Sequence, residues 1–251
     1  MKIAAIIPAR MASSRFPGKP LAPIQGISMV EHVRRRTELC PFIDLTLVAT
    51  CDEEIAAEVR RFGGKVVMTS PTHKRGTDRV AEAARNLATD IVINVQGDMP
   101  FVRREMLEAL VAPLQVDPAL VCTDLMSPID DEEDYLSENV VKVVFDKDAN
   151  ALYYSRDPIP SLRKAPAGTK VPKFKQLGIT AFRRDFLLKF IELPPHPLEI
   201  IESVDMMRAL ENGYRVRMVE TAVWTIGVDV PDDLTKADEV MGRDPLYPSY
   251  K

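Results

Sequence analysis

The chain has 251 residues, of which 46% are hydrophobic, and its formal net charge is −4. This length and apolar content allow one large α/β domain or two small ones, and the acidic balance gives no electrostatic reason to expect a nucleic acid partner. Three cysteines without paired spacing favour neither a zinc site nor a disulfide framework. Because no apolar run is long enough for a secretory signal or a membrane span, we expect a cytoplasmic protein that does not insert into membranes.

The chain opens with an apolar segment that leads into a cationic loop. Residues 3–7 carry no polar alternation, which is typical of a central strand covered on both faces. Arg10, Arg15 and Lys19 follow within ten residues. Ligands of open α/β sheets bind beyond the carboxyl ends of such strands, so the loop is predicted to hold a polyphosphate. A solvated basic loop is the alternative interpretation.

The next hundred residues alternate between short apolar runs and segments with helical spacing. This alternation predicts a doubly wound, mostly parallel sheet in a three-layer αβα arrangement. Asp52 is predicted to cap the helix that follows it. The predicted strands are 45–50, 65–69 and 91–95, and the predicted helices are 29–39, 53–62 and 78–87.

From residue 113 the pattern becomes less regular and richer in strands. We therefore predict a single domain over 1–251, with a regular half, 1–112, and an irregular β-rich half, 113–251. The acidic run 130–134 is interpreted as a solvated turn or a helix start, because consecutive carboxylates do not converge on one metal ion. The predicted strands are 120–126, 140–146, 151–155, 175–183, 216–220 and one before Gly227, and the predicted helices are 184–192, 198–211 and 232–241.

Two aspartates stand at predicted strand ends. Asp98 follows the strand 91–95 at the same sheet edge as the cationic loop, and a carboxylate beside a polyphosphate site is suited to hold Mg²⁺. A structural turn is the alternative. Asp229 is the candidate for the second carboxylate, with a helix N-cap as its alternative, a role that Asp232 or Asp233 can take instead.

Several segments resemble one enzyme family. The pattern Ala-Arg-(x)4-Arg-x-Pro-x-Lys at residues 9–19 resembles the signature of the sugar cytidylyltransferases, and residues 7–21 look like their CMP-Kdo synthetase branch. Residues 75–79, 153–160 and 197–213 are similar to the same family, so the resemblance covers nearly the whole chain. A cap by Thr77 is the alternative interpretation of the turn at 75–79.

The resemblance implies a Rossmann-like nucleotidyltransferase fold and a Mg²⁺-dependent reaction. In that reaction a cytidylyl group passes from CTP to a 3-deoxy 2-ulosonic acid and pyrophosphate leaves. Residues 1–112 would bind the nucleotide, and 113–251 would bind the acceptor and form the dimer contact. The family is cytoplasmic and usually homodimeric, and it serves lipopolysaccharide biosynthesis.

The resemblance also implies roles for individual residues. Asp98 and Asp229 would hold Mg²⁺ and, with Arg10, Arg15 and Lys19, form the catalytic set. The nucleotide would contact Pro8, Ala9, Arg10, Ser14, Arg15, Lys19, Gly76, Thr77, Arg79 and Gln96. The acceptor would contact Gln96, Arg156, Gln176, Thr180, Glu202 and Asp205.

Four positions depart from the family pattern on its acceptor side. Met99 stands in place of a glutamate, Gln176 of a histidine, Thr180 of a tyrosine and Met206 of a glutamine. Because a site that hydrogen-bonds its substrate discriminates sharply when its donors change, the acceptor is expected to be Kdo or a modified or related 2-keto sugar acid. The alternatives are a non-catalytic nucleotide-binding or sensing homologue and transfer to another acceptor such as a sugar phosphate.

Overall fold

A computed structural model describes residues 1–12, 16–166, 168 and 171–251, which form two compact units. The first unit contains residues 1–108 and 224–251, and the second contains 109–223. The halves predicted from the sequence, 1–112 and 113–251, differ from these units because the last 28 residues return to the first unit. Within the described residues, no helix is long and apolar enough to cross a membrane.

Strands and helices alternate along much of the chain. The strands are β1 (Ile3–Ala9), β2 (Pro23–Ile24), β3 (Ile27–Ser28), β4 (Leu45–Thr50), β5 (Val66–Met68), β6 (Ile91–Asn94), β7 (Cys122–Pro128), β8 (Lys142–Phe145), β9 (Ala151–Ser155), β10 (Phe174–Arg183) and β11 (Val216–Glu220). The α-helices are α1 (Met29–Glu38), α2 (Glu53–Arg61), α3 (Gly76–Ala84), α4 (Arg104–Val116), α5 (Glu132–Leu136), α6 (Arg184–Phe190), α7 (Pro197–Glu202), α8 (Met207–Glu211) and α9 (Pro231–Met241). Short 3₁₀ turns cover Lys19–Leu21 and Tyr247–Ser249.

The first unit is built on a parallel sheet in the order β6-β1-β4-β5. Every residue of β1 is buried, as its unbroken apolar run predicted. The helices α1, α2 and α3 pack against these strands. The doubly wound α/β class expected from the sequence is thus confirmed in this unit, and the carboxyl ends of β1 and β6 lie side by side because their register is parallel.

An apolar cluster explains why the end of the chain joins the first unit. Helix α9 contributes Ala237 and Met241, which are fully buried. They pack with Ile24, Met29 and Phe101, so the short β2–β3 hairpin, which the sequence analysis did not predict, is covered by the last helix. This packing also fixes the segment that carries Asp229, immediately before α9.

The second unit is organised around β7. Strand β11 runs parallel to β7, whereas β10 runs antiparallel to it, and β8 pairs with both β10 and β9. In this register Thr180 lies opposite Asp124, and Met218 lies beside Asp124 on the other flank. Side chains of directly paired residues point to the same face of a sheet, so residues from three strands meet there.

Three local predictions were wrong. The helix predicted over 198–211 is divided into α7 and α8, because Ser203 takes a left-handed conformation with φ of 54°. The strand predicted before Gly227 is absent from the described residues, where 221–229 form no regular element. Asp52 does not cap α2 through its side chain, which instead accepts the Met11 N–H at 2.8 Å.

Candidate active site

A cavity of about 260 Å³ opens where the first unit presents its strand ends. It begins at the end of β1 and includes the turn that follows β6 and the start of α3. Its basic side chains outnumber its acidic ones, which favours an anionic ligand. The residues around it are Pro8, Ala9, Arg10, Lys19, Pro20, His73, Arg75, Gly76, Arg79, Gln96, Gly97 and Asp98.

Lys19 links the two aspartates that the sequence analysis singled out. Its Nζ atom lies 2.6 Å from Asp98 Oδ2 and 3.6 Å from Asp229 Oδ1. The Lys19 side chain is 12% exposed, whereas those of Asp98 and Asp229 are 30% and 41% exposed. The structure therefore brings three of the five predicted catalytic residues together, with the Lys19 ammonium between the two carboxylates.

The backbone holds Asp229 in this position. The Val228 N–H donates to the Asp98 carbonyl oxygen at 2.9 Å, which joins the two carboxylate-bearing segments. Asp233 accepts the N–H groups of Asp229 and Val230 at 2.9 and 3.0 Å. Val230 is the N-cap of α9, and Asp233, the third residue of the helix, ties the helix start to the segment before it. The carboxylate of Asp229 contacts Lys19.

Two glycines line the cavity next to Pro8, and only Gly97 is required for the close approach of the cavity walls. A Cβ atom on Gly97 would lie 2.8 Å from the Pro8 carbonyl oxygen, a separation that real Cβ atoms do not show. At Gly76 the corresponding atom would lie 3.4 Å from Pro8 Cγ, which is an ordinary contact. The turn that carries Asp98 can therefore lie against β1 only with glycine at position 97.

The cationic loop is anchored at both ends. Asp52 binds the Met11 N–H, and the Gly18 N–H donates to the Met11 carbonyl oxygen at 3.0 Å. Gly18 has φ of 76°, a left-handed conformation that suits glycine and turns the chain into the 3₁₀ segment of Lys19. The predicted residues Ser14 and Arg15 lie outside the described residues, as does Ser13.

The first turn of α3 places the predicted residues Thr77 and Arg79 inside the protein. Arg79 is buried and donates to Thr69 Oγ1 and, at 3.4 Å, to Cys51 Sγ, while it also borders the cavity. Thr77 is buried and accepts the Asn94 side-chain amide at 3.4 Å. Both residues thus brace the wall of the cavity. Their predicted contacts with a nucleotide remain predictions.

A buried polar cluster occupies the second unit. Asp124 is fully buried on β7, and its Oδ2 atom accepts the Tyr154 hydroxyl at 2.8 Å and the Gln176 side-chain amide at 2.7 Å. The pKa of Asp124 is raised from 3.8 to about 7, chiefly by burial and in smaller part by the nearby charge of Asp205, while the hydrogen bonds from Tyr154 and Gln176 oppose the rise. The Oδ1 atom of Asp124 and the Oγ1 atom of Thr180 are buried without hydrogen-bond partners among the described residues.

Arg156 and Glu202, which were also predicted to contact the acceptor, hydrogen-bond to each other. The Glu202 carboxylate accepts the Arg156 backbone N–H at 2.8 Å and the Tyr153 hydroxyl at 3.0 Å. The Arg156 guanidinium donates to the carbonyl oxygens of Glu202, Glu138 and Ser203 at 2.7, 2.8 and 3.5 Å. Arg156 is therefore fixed in orientation by three of its five donors.

The four departures from the family pattern lie in different surroundings. Met99 belongs to the first unit, where it is buried and its Sδ atom would lie 3.3 Å from a Cβ atom on Gly227. Gln176, Thr180 and Met206 belong to the second unit, together with Asp205, which precedes α8. Of these, Gln176 is the one that hydrogen-bonds to the buried carboxylate.

Asp124 and Tyr154 were not among the site residues predicted from the sequence. Asp124 stands inside the apolar run 120–126, which was interpreted only as a strand. A single carboxylate in such a run is the available signal, because a charged side chain is seldom buried unless it is paired. Its partners come from strands distant in sequence, so the residues that complete the cluster could not be identified from spacing.

The chemistry of the Asp98 and Asp229 pair suits Mg²⁺. Magnesium binds through one or two carboxylates together with substrate phosphates and water, and a positive charge already lies between these two side chains. Within the described residues there is no group of three or more His, Cys, Asp or Glu side chains that could hold a metal on its own. The two aspartates therefore fit an ion that a nucleotide helps to bind.

Comparison with known proteins agrees with this geometry. Residues 4–220 match the model of the family described as "Cytidylyltransferase". The chain is 47% identical to the 3-deoxy-manno-octulosonate cytidylyltransferase of Geobacter metallireducens, over 97% of this chain and 99% of that protein. It is 48% identical to the enzyme of the same name from Pelobacter propionicus, over 95% and 97%.

Solved structures give the same result at the level of the fold. A CMP:2-keto-3-deoxy-manno-octonic acid synthetase complexed with CTP superposes with a TM-score of 0.90 at 39% identity, covering 97% of this chain and 99% of that one. A 4-diphosphocytidyl-2C-methyl-D-erythritol synthase from Anaerococcus prevotii has a TM-score of 0.63 at 14% identity, over 96% and 99%, which shows the fold alone. The chain belongs to the cytidylyltransferase family, in its 3-deoxy-manno-octulosonate branch.

Proposed function

We propose that this protein transfers the cytidylyl group of CTP to a 3-deoxy 2-ulosonic acid, with Kdo as the first candidate, and releases pyrophosphate. The observation that carries the proposal is the cluster of Lys19, Asp98 and Asp229 at the mouth of a cation-lined cavity. The names of relatives that are 47% and 48% identical support the same reaction and acceptor.

The residues of the first unit can position and neutralise the nucleotide. Arg10 is exposed beyond the end of β1, and both Arg10 and Lys19 line the cavity, so both can reach a triphosphate. Arg15 is predicted to complete the set. The anomeric hydroxyl of the acceptor gives up its proton to solvent as its oxygen attacks the α-phosphorus, and the bond between the α-phosphorus and the oxygen that bridges to the β-phosphate breaks. These cations stabilise the leaving pyrophosphate.

The metal contribution rests on the same pair of aspartates. Asp98 and Asp229 would hold Mg²⁺, which when bound supplies charge for the phosphates and lowers the pKa of the attacking hydroxyl. In the structure the Lys19 ammonium lies beside Asp98, where the ion would bind, with Nζ 2.6 Å from Asp98 Oδ2. When CTP enters, the Lys19 ammonium exchanges this carboxylate for phosphate oxygens, which are also anionic.

The acceptor would be bound by the polar residues of the second unit. Arg156 keeps two guanidinium N–H groups beyond the three used for carbonyl oxygens, and these suit a carboxylate. Glu202 would fix the segment of Arg156, and Gln176 would contact a polar group of the sugar acid. Gln96, at the cavity wall of the first unit, is the remaining candidate for the acceptor.

We further propose that the enzyme is a cytoplasmic homodimer whose contact includes α7. Ile200 and Ile201 on this helix are 63% and 73% exposed, and isoleucine is among the residues most often buried in proteins. Size-exclusion chromatography with light scattering tests this directly. A dimer that becomes monomeric in Ile201→Lys is the expected result, and a monomeric wild type would contradict the proposal.

The function is tested by measuring pyrophosphate release with CTP, Mg²⁺ and Kdo, followed by identification of the CMP-sugar. Product that depends on all three components is the expected result. If CTP binds but neither Kdo nor a related 2-keto sugar acid gives product, the protein is a nucleotide-binding homologue rather than an enzyme. Product formed only with a sugar phosphate would also overturn the proposal.

A further inference from the structure

The side-chain amide of Gln176 has two polar edges, the NH₂ group and the carbonyl oxygen, and only the NH₂ edge is hydrogen-bonded to a described residue. Its Nε2 atom donates to Asp124 Oδ2 at 2.7 Å, which lies in the buried interior of the second unit. Its Oε1 atom has no hydrogen-bond partner in the part of the chain that the structure describes, and Gln176 itself is partly exposed. The open edge of the amide is therefore its carbonyl oxygen.

The chemistry of Asp124 determines which edge is open. An ionised carboxylate accepts hydrogen bonds and cannot donate them, so the amide must turn its NH₂ group toward Asp124. The Tyr154 hydroxyl donates to the same carboxylate oxygen and is itself fully buried. With both partners acting as donors, the orientation of the Gln176 amide is fixed by hydrogen bonding.

We infer that Asp124 is a positioning residue that locks the Gln176 amide with Oε1 open, so that this site recognises a hydrogen-bond donor, a hydroxyl or an ammonium group, on the acceptor. The inference deepens the proposed function and rests on it for the identity of the ligand. It assigns acceptor selectivity to a residue that would not itself touch the sugar acid.

Protonation of Asp124 would release the lock. Burial raises the pKa of Asp124 to about 7, so the carboxyl gains a proton as the pH falls below that value. The titratable groups whose charges act on it or respond to it are Cys122, Tyr154 and Asp205. A protonated carboxyl can donate to Oε1, which allows the amide to turn and to present NH₂ instead.

The first experiment follows the amide directly and does not depend on turnover. The side-chain ¹⁵N–¹H signals of Gln176, assigned by their loss in Gln176→Met, should shift with a midpoint near pH 7 in the wild-type protein. In Asp124→Asn this shift should disappear, because the asparagine does not titrate. Wild-type signals that Asp124→Asn leaves unchanged at every pH between about 6 and 8.5 would overturn the inference.

The second experiment measures kinetics with Kdo as the varied substrate at saturating CTP. Asp124→Asn should raise the KM for Kdo about tenfold at high pH and leave the KM for CTP unchanged, since one oriented hydrogen bond is lost. Tyr154→Phe is the matched control: it removes the other bond to the same oxygen and should change the KM for Kdo less. A wild type inactive with every acceptor would refute the proposed function, whereas the amide signals would still decide the orientation.

A double-mutant cycle separates positioning from a general structural effect. In the Gln176→Met background, Asp124→Asn should cause no further rise in the KM for Kdo, because no amide is left to orient. If the substitution at Asp124 has the same effect with and without Gln176, or raises the KM for CTP by the same factor, Asp124 does not act through Gln176. Thermal unfolding of each variant confirms that it is folded.

Discussion

The candidate residues of the two units differ in where they stand on their secondary structure. In the first unit they follow strand ends: Arg10 comes after β1 and Asp98 after β6. In the second unit they lie within strands: Asp124 is inside β7, while Gln176 and Thr180 are inside β10. Side chains at strand ends remain partly exposed, whereas those inside strands are fixed by neighbours on both sides.

This difference suggests a division of labour. Lys19 contacts two aspartates that are 30% and 41% exposed, so its ion pairs can be exchanged for other partners when a ligand enters. Asp124 is fully buried within β7, so an entering ligand cannot replace its partners without disturbing the sheet. We expect the first unit to supply the changing charges of the reaction and the second unit to supply a fixed pattern of donors and acceptors.

The largest effect is expected at the metal pair. Asp98→Asn and Asp229→Asn should each lower kcat roughly 100-fold to 1,000-fold, because each removes an anionic ligand while keeping the shape of the side chain. Asp232→Asn is the matched control: Asp232 is an exposed residue of the same segment and should retain near-normal turnover. Pyrophosphate release at saturating substrates measures the effect. Unchanged kcat in either variant would remove that residue from the metal site.

Replacement of Lys19 should separate catalysis from metal binding. Lys19→Met is expected to lower kcat about 100-fold, since a cation near the leaving group is lost. It should also tighten the binding of Mn²⁺ in the absence of nucleotide, because the ammonium 2.6 Å from Asp98 no longer competes with the ion. Electron paramagnetic resonance of free Mn²⁺ gives the affinity. Weaker Mn²⁺ binding would contradict a competing role for Lys19, and Lys19→Arg, which retains the charge, should bind Mn²⁺ as the wild type does.

A smaller effect is expected from the close approach of the cavity walls. In Gly97→Ala the new Cβ atom would meet the Pro8 carbonyl oxygen at 2.8 Å, so the turn must shift and Asp98 must move with it. We expect kcat to fall about tenfold, together with a lower Tm, because small displacements of catalytic groups are costly. Gly76→Ala, with its nearest contact at 3.4 Å, is the control and should be milder. Equal falls in kcat and Tm in the two variants would show that the close contact between Gly97 and Pro8 is not required for activity.

The sequence predicted the first unit well because its signals are local. Apolar runs without alternation indicated the strand positions, and a strand end followed by Arg10, Lys19 or Asp98 indicated the site. The structure adds what local patterns do not contain. Asp52 was predicted as a helix cap from its position before α2, but its carboxylate binds the Met11 N–H, 41 residues away.

The second unit was less predictable because its features depend on distant contacts. The interruption between α7 and α8 at Ser203 follows no proline or glycine, so helical spacing suggested one continuous helix. The role of Asp124 depends on its hydrogen bonds with Tyr154 and Gln176, which are 30 and 52 residues away in the sequence. The resemblance identified Gln176 as a departure, but only the register of β7 and β10 shows the carboxylate beside it.

A separate effect is expected on stability, where the buried carboxylate should leave a signature in the pH dependence of unfolding. The pKa of Asp124 rises from 3.8 to about 7 on folding, so the folded chain binds this proton more tightly than the unfolded chain. The stabilisation is complete below about pH 4 and is lost as the pH rises through 7. Asp124→Asn cannot ionise and should lack this decline.

Urea denaturation of the wild type and of Asp124→Asn at several pH values gives the sign of this change in the free energy of unfolding. The free energy of unfolding of Asp124→Asn, relative to the wild type, should increase by about 3 kcal/mol between pH 4.5 and pH 8, because one pKa unit corresponds to about 1.4 kcal/mol. Asp185→Asn is the control, since the Asp185 side chain is 95% exposed and should show no such trend. A constant difference between the Asp124 variant and the wild type would mean that Asp124 is ionised in both the folded and the unfolded chain throughout this range. The lock on Gln176 would then be permanent rather than dependent on pH.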